Sequence, residues 1–258
     1  MTLEKYIFNP MGQNNASNTP LVREAIKNSY KHRFDNLMLR ENGVVKFYLY
    51  YDSANNIYYA HIKVPSEAIE DFYYDTVFKF TTTADRNTAS GKDLEKYDVK
   101  FFSNDPAFVY THAHTYLTHG LFIEELSPRM SKEALNKPAT VTNPNDSIGY
   151  VKSIYFAYLY MKHRGLFKTI SYSGAQPFHI KLLAANIMPA DQKIALREDA
   201  ERKRDKRKKV VIDQDTAKRL SKYNLSDRAK DRLVTTTKTT AKIKNTKAVN
   251  TIKKAKKK

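Results

Sequence analysis

VVKFYLYY (Val44–Tyr51) and IYYAHIKV (Ile57–Val64) are two runs of β-branched and aromatic residues separated by DSANN (Asp52–Asn56), a segment dense in turn formers. Such runs pack well on a pleated, half-buried surface, and the polar insert closes them into a β-hairpin. TVFKFTT (Thr76–Thr82) and YDVKFFS (Tyr97–Ser103) repeat the pattern and extend the hairpin into a small antiparallel sheet. Pro65-Ser66-Glu67 reads as a helix start, with the helix covering Glu67–Tyr74. ADRNTASGKDLEK (84–96) is polar and reads as a mobile linker between the last two strands.

Upstream, residues 1–18 (MTLEKYIFNPMGQNNASN) read as an extended arm followed by a loop. Thr19 as N-cap and Pro20 at the first helical position then open a helix. Its mainly apolar stripe is Leu21, Val22, Ala25, Ile26, Ser29, Tyr30 and Arg33.

Downstream, DPAFVYTHAHTYLTHG (Asp105–Gly120) alternates like a strand, yet Asp105, Pro106 and Gly120 punctuate it like a helix. The punctuation of both ends favours the helix. A short helix over Ser131–Leu135 and a turn-rich Pro138–Pro144 follow. The clearest helix runs from Ser147 to Arg164 and stops at Gly165. Ile148, Val151, Ile154, Tyr155, Tyr158, Leu159 and Met161 cover most of its circumference, which marks a buried central helix. Leu166–Ser171 reads as a returning strand, and Phe178–Ile187 as a strand or short helix. Helices are expected over Ala190–Lys208, Thr216–Tyr223 and Ser226–Leu233, with no order after Leu233.

These elements define an α+β fold: a small antiparallel sheet with a buried central helix, then basic C-terminal helices and a disordered lysine-rich tail. The expected organisation is an arm (1–18), an α+β body (19–188), a charged helical extension (189–234) and a tail (235–258).

The chain of 258 residues is 41% hydrophobic and has no cysteine, so disulfides, thiolate nucleophiles and cysteine metal sites are excluded. Its longest apolar stretch, IYFAYLYM (Ile154–Met161), falls far short of the roughly 20 residues that cross a bilayer. No membrane contact is expected. The 18 Tyr and 13 Phe with no Trp suit half-wet cores and interfaces, and suit equally the codon bias of an AT-rich genome.

Catalytic patterns are weak. Of His112, His114 and His119, the first two would share one face of a strand and could hold an ion, but on a helix they point about 200° apart. Ser171-Tyr-Ser173-Gly174 lacks the first glycine of a nucleophile elbow, and His179 has no evident orienting acid. The seven glycines show no phosphate-cradling spacing. No cofactor and no metal are expected, and the chain reads as a non-enzyme.

Charge is the strongest functional signal. From Glu201 to Lys258 there are 22 Lys+Arg against six Asp+Glu, which is +16 of the chain's +18. Arg202, Lys203, Arg204, Lys206, Arg207, Lys208 and Lys209 form a first block that mixes guanidinium forks with ammonium point charges. Lys242, Lys244, Lys247, Lys253, Lys254, Lys256, Lys257 and Lys258 belong to a tail without Arg, aromatic or acidic residues. Such a tail grips phosphate without reading bases. DNA, RNA or an acidic protein surface is the expected partner of this end.

KYDVKFFSNDPAFVYTHAHTYLTHG (Lys96–Gly120), the Asn143-Pro144 turn and the tyrosine-rich Tyr150–Met161 resemble in texture segments of virion structural proteins of tailed phages from AT-rich hosts. The likeness spans about residues 40–190. It implies a neck, ring or tail-completion component, or a capsid-associated protein. Such a protein would sit in the virion, assemble in the host cytoplasm, and contact other virion subunits as a homo-oligomeric ring or a hetero-assembly. The alternative is a free, sequence-non-specific nucleic-acid-binding accessory protein.

Overall fold

The computed structural model describes residues 1–8, 20–40, 45–82, 91–169, 176–207, 210–212 and 233–235. The chain divides into two units, Met1–Arg197 and Glu198–Lys258. The fold of the first is α+β, as the patterning requires. Strands β1 (Lys46–Asp52), β2 (Ile57–Pro65), β3 (Tyr73–Thr81) and β4 (Asp98–Ser103) form an antiparallel meander. Short β5 (Gln176–Pro177) adds in parallel to β1, giving the order β4-β3-β2-β1-β5. At the other edge, Leu121 and Ile123 exchange backbone hydrogen bonds with Phe101 of β4, which covers an otherwise open strand.

Side-chain alternation divides the sheet into two faces. Leu49, Ala60, Phe78 and Phe101 lie in register on one face and are all buried. Helix α5 (Lys152–His163) packs on this face, and all nine of its residues Ser153–Met161 are buried. Helix α2 (Pro20–Arg40) packs on α5 through Tyr30 and Phe34 against Phe156. Tyr59 and Tyr50 belong to the other face. Phe178 stacks on Tyr59 with ring centroids 4.1 Å apart, and Asn186, just past α6 (Ile180–Ala185), reaches the Tyr50 hydroxyl.

The Asp105–Gly120 segment is helical, as its punctuation indicates. The Asp105 carboxylate accepts the Ala107 N–H at 3.0 Å and Gly120 takes φ +67°. A π-helical turn, Phe108–His112, runs into α3 (Ala113–Thr118). Helix α4 (Lys132–Asn136) follows Ser131, and α7 spans Ala190–Arg207.

Several expectations are corrected. The N-terminal arm is not extended: Leu3–Phe8 forms α1, and Leu3, Tyr6 and Ile7, at helical spacing, are buried. Tyr6 meets Phe101 at 4.6 Å between ring centroids, and the Ile7 carbonyl accepts the Tyr150 hydroxyl at 2.6 Å. No helix spans Glu67–Tyr74. There the Ser66 hydroxyl accepts the N–H groups of Ala68 and Ile69, Asp71 adopts φ +56°, and β3 begins at Tyr73. The end of the supposed mobile linker is ordered, with Leu94 fully buried and its N–H bonded to the Phe167 carbonyl.

The central helix starts at Lys152, not Ser147. Asn143 exchanges two hydrogen bonds with Ser147, and both Tyr6 and Tyr116 hydroxyls bind the Gly149 carbonyl, holding that stretch extended. Leu166–Lys168 makes turns and one bridge to Asp93 rather than a strand; residues 170–175 lie outside the described residues. The stripe on α2 holds in part: Ile26 and Tyr30 pack on the core, but Leu21 is 84% exposed, and Phe34 and Leu37 beyond the expected stripe are buried.

In the second unit, β6 (Val210–Ile212) pairs in parallel with β7 (Leu233–Thr235), so order does continue past Leu233. The β-branched content of both triplets suits that pairing. The expected helix Thr216–Tyr223, all of Ser226–Leu233 except its last residue, and positions 236–258 lie outside the described residues.

Candidate functional site

The first basic block falls on the last turns of α7. Cations there complement the negative end of the helix dipole, so part of this charge serves the helix itself. Lys203 pairs with Asp199 at 2.6 Å and Arg204 with Asp205 at 3.2 Å, while Arg202 is exposed. Lys206 and Arg207 are helical; Lys208 and Lys209 lie outside the described residues, as do Lys242, Lys244, Lys247, Lys253, Lys254, Lys256, Lys257 and Lys258. From Glu198 to Arg207 there are five cations against four acids, whereas residues 208–258 hold 17 against four. The positive excess thus lies almost wholly beyond α7.

On the second face of the sheet, His61, Lys63 and Asp75 meet. Asp75 is 3% exposed, and its Oδ1 lies 2.9 Å from His61 Nε2 and 3.6 Å from Lys63 Nζ. Burial pushes its carboxyl up, but the His61 hydrogen bond, the Lys63 charge and the Asn104 amide together hold it below its ordinary value. An ionised Asp75 only accepts, so His61 donates its Nε2–H. The buried His61 Nδ1 then has no hydrogen-bond partner. Asn104 completes the locus: its amide donates to Asp75 Oδ2 at 2.9 Å and to the Met188 carbonyl at 3.0 Å, and its oxygen accepts the Asp75 N–H. The locus pins β3, the end of β4 and the approach to α7 together.

Two other lysines of this face have dedicated acids. Lys79 pairs with Glu125 and Lys100 with Glu124, both acids carried by the 3₁₀ turn Glu124–Arg129. Glu125 also accepts the Tyr59 hydroxyl at 3.3 Å. Burial raises the Glu125 carboxyl, but Lys79, a backbone hydrogen bond and the Tyr59 hydroxyl together leave it below its ordinary value.

The three histidines of the Asp105–Gly120 helix do not converge. His114 donates Nδ1–H to the Leu135 carbonyl and His119 to the Thr115 carbonyl. His112 lies against Gly149, its Nδ1 is buried without a partner, and burial drives its pKa down to about 4. Among the described residues no three His, Asp or Glu side chains converge to hold a metal ion. A cleft of about 340 Å³ runs beside His114, Tyr110, Ser131, Glu133 and Lys137, the last two paired with each other at 2.7 Å. His179 precedes α6, and Ser171-Tyr-Ser173-Gly174 lies outside the described residues. No described helix is long and apolar enough to cross a membrane.

The Asp75 locus escaped sequence reading because its members come from β2, β3 and the residue after β4. The one local sign was a histidine within an apolar strand run, which reads equally as a satisfied core residue. No protein-family model, curated protein or solved structure matches the chain.

Proposed function

We propose that this chain is a non-enzymatic structural component of a phage particle, in its neck, ring or tail or associated with its capsid. The body binds partner subunits, and the basic C-terminus holds DNA or an acidic surface. The observation that carries this reading is the charge segregation: residues 208–258 hold 17 Lys+Arg against four Asp+Glu, beside a nearly neutral first 200 residues. Concentrated positive charge binds polyanions by releasing their condensed counterions and needs no catalytic geometry. Within an assembly, many such arms act together at high effective concentration, so each one can be weak.

Native mass spectrometry of the untagged protein from its source tests the assembly half. A defined oligomer, or a complex with other subunits, is the expected result. A lone monomer without a co-purifying partner would sink it.

A further inference from the structure

Lys46 of β1 and Lys63 of β2 are direct cross-strand partners on one face of the sheet. Like charges facing each other across a ladder destabilise it, so a fold that keeps them tolerates a cost. Lys193, in the first turn of α7, adds a third cation to the same place. Its ammonium lies 4.4 Å from the Phe72 ring centroid and interacts electrostatically with both Lys63 and Asp75. Burial lowers the pKa of Lys193 and Lys63 lowers it further, against an opposing pull from Asp75.

Asp75 lies within ion-pair distance of Lys63 and acts electrostatically on Lys193, and its two oxygens are already engaged by His61 and Asn104. Among the described residues no other carboxylate lies within ion-pair distance of Lys46, Lys63 or Lys193. The Lys79–Lys100 row of the same face shows the usual remedy, one glutamate for each lysine. The Lys46–Lys63 row lacks it.

We propose that Lys46, Lys63 and Lys193 form a docking site for the phosphate backbone of a nucleic-acid strand. The bound phosphates supply the counter-charge that the fold withholds. Lysine ammoniums suit that ligand: they are point charges that attract phosphate without the fork with which arginine reads a base. The aromatic surroundings fit as well. Tyr48, 37% exposed, lies beside His61, and Lys46 sits over the Tyr73 ring at 5.8 Å, so a sugar or base finds an apolar surface next to the cations. The proposal rests on the reading that the C-terminus holds nucleic acid and places a second contact in the body.

The test is a fluorescence-anisotropy titration of the full chain with a labelled single-stranded DNA of about 16 nucleotides over a range of salt. Lys46→Gln/Lys63→Gln/Lys193→Gln is expected to bind about ten-fold more weakly, with a log–log salt slope shallower by about 2, from about 0.7 per phosphate contact. Should the triple variant fail to fold, Lys46→Gln/Lys193→Gln leaves the Lys63–Asp75 contact in place and is expected to show a partial loss. Wild-type affinity and slope in a folded variant overturn the site while leaving the C-terminal reading intact. A full chain that binds no DNA at low salt overturns both. If removing the three lysines lowers affinity for poly-glutamate but leaves that for DNA unchanged, the ligand is an acidic protein and the nucleic-acid assignment is overturned.

Discussion

The two faces of the sheet solve opposite problems. The face under α5 is largely apolar and aromatic: Phe78 and Phe101 meet edge to face at 5.4 Å, and Thr76, Ser103 and Ser153 form a run of hydroxyls that satisfy each other. The other face carries Lys46, Lys63, Lys79, Lys100, His61 and Asp75 in the same strands and the same register. The second face buries Tyr50, Tyr59, Val77 and Phe102 as well, so its charges are held at the margin of a second packed layer.

Breaking the aromatic face should have the largest effect. Phe101→Ala empties the centre of a cluster with Tyr6, Phe78 and Tyr116 and is expected to cost about 3–5 kcal/mol in urea unfolding. A loss below about 1 kcal/mol would mean that the aromatic core does not organise the fold.

His112 comes next, because it packs against Tyr116 at the margin of that cluster. Its pKa falls from 6.5 to about 4 in the folded chain, so the unfolded chain takes up the proton first as acid is added. Its contribution is complete above pH 6.5 and is lost as pH falls towards 4, by at most about 3 kcal/mol. His112→Phe should flatten the stability profile across that window. Asp75 acts in the same direction at lower pH: held below its ordinary value, it supports the fold until the pH falls through its depressed pKa.

On the other face, Glu125→Gln removes the partner of Lys79 and is expected to cost no more than about 1 kcal/mol, since the pair is partly solvated. A larger loss would place structural weight on a face assigned to binding. Leu21→Ala, at a site 84% exposed on α2, should change thermal stability by less than about 0.5 kcal/mol. A clear destabilisation there would show that the N-terminal half of α2 is covered in solution.

Much of this contrast was legible in residues. The β-branched runs around Asp52–Asn56 marked the hairpin, Asp105 and Gly120 marked a helix, and the apolar circumference of Ile154–Met161 marked the buried one. What stayed hidden depends on contacts between distant positions. Helix α1 has six residues, too few to show a period, and it is held by hydroxyls of Tyr116 and Tyr150 from far along the chain. The helical pattern of residues 147–151 lost to side chains of Asn143, Tyr6 and Tyr116, which capture that backbone first. The lysine site assembles from β1, β2 and α7, and no local spacing links positions 46, 63 and 193.

The central claim is that positive charge segregated to the C-terminus, beyond α7, attaches this protein to nucleic acid. It is tested most directly by DNA affinity as a function of salt for the full chain and for a chain ending at Arg207. The expected result is a steep salt slope in the full chain and a loss of about 100-fold or more at low salt on removing residues 208–258, with only weak binding left in the body. Equal affinities and equal slopes for the two chains would contradict it.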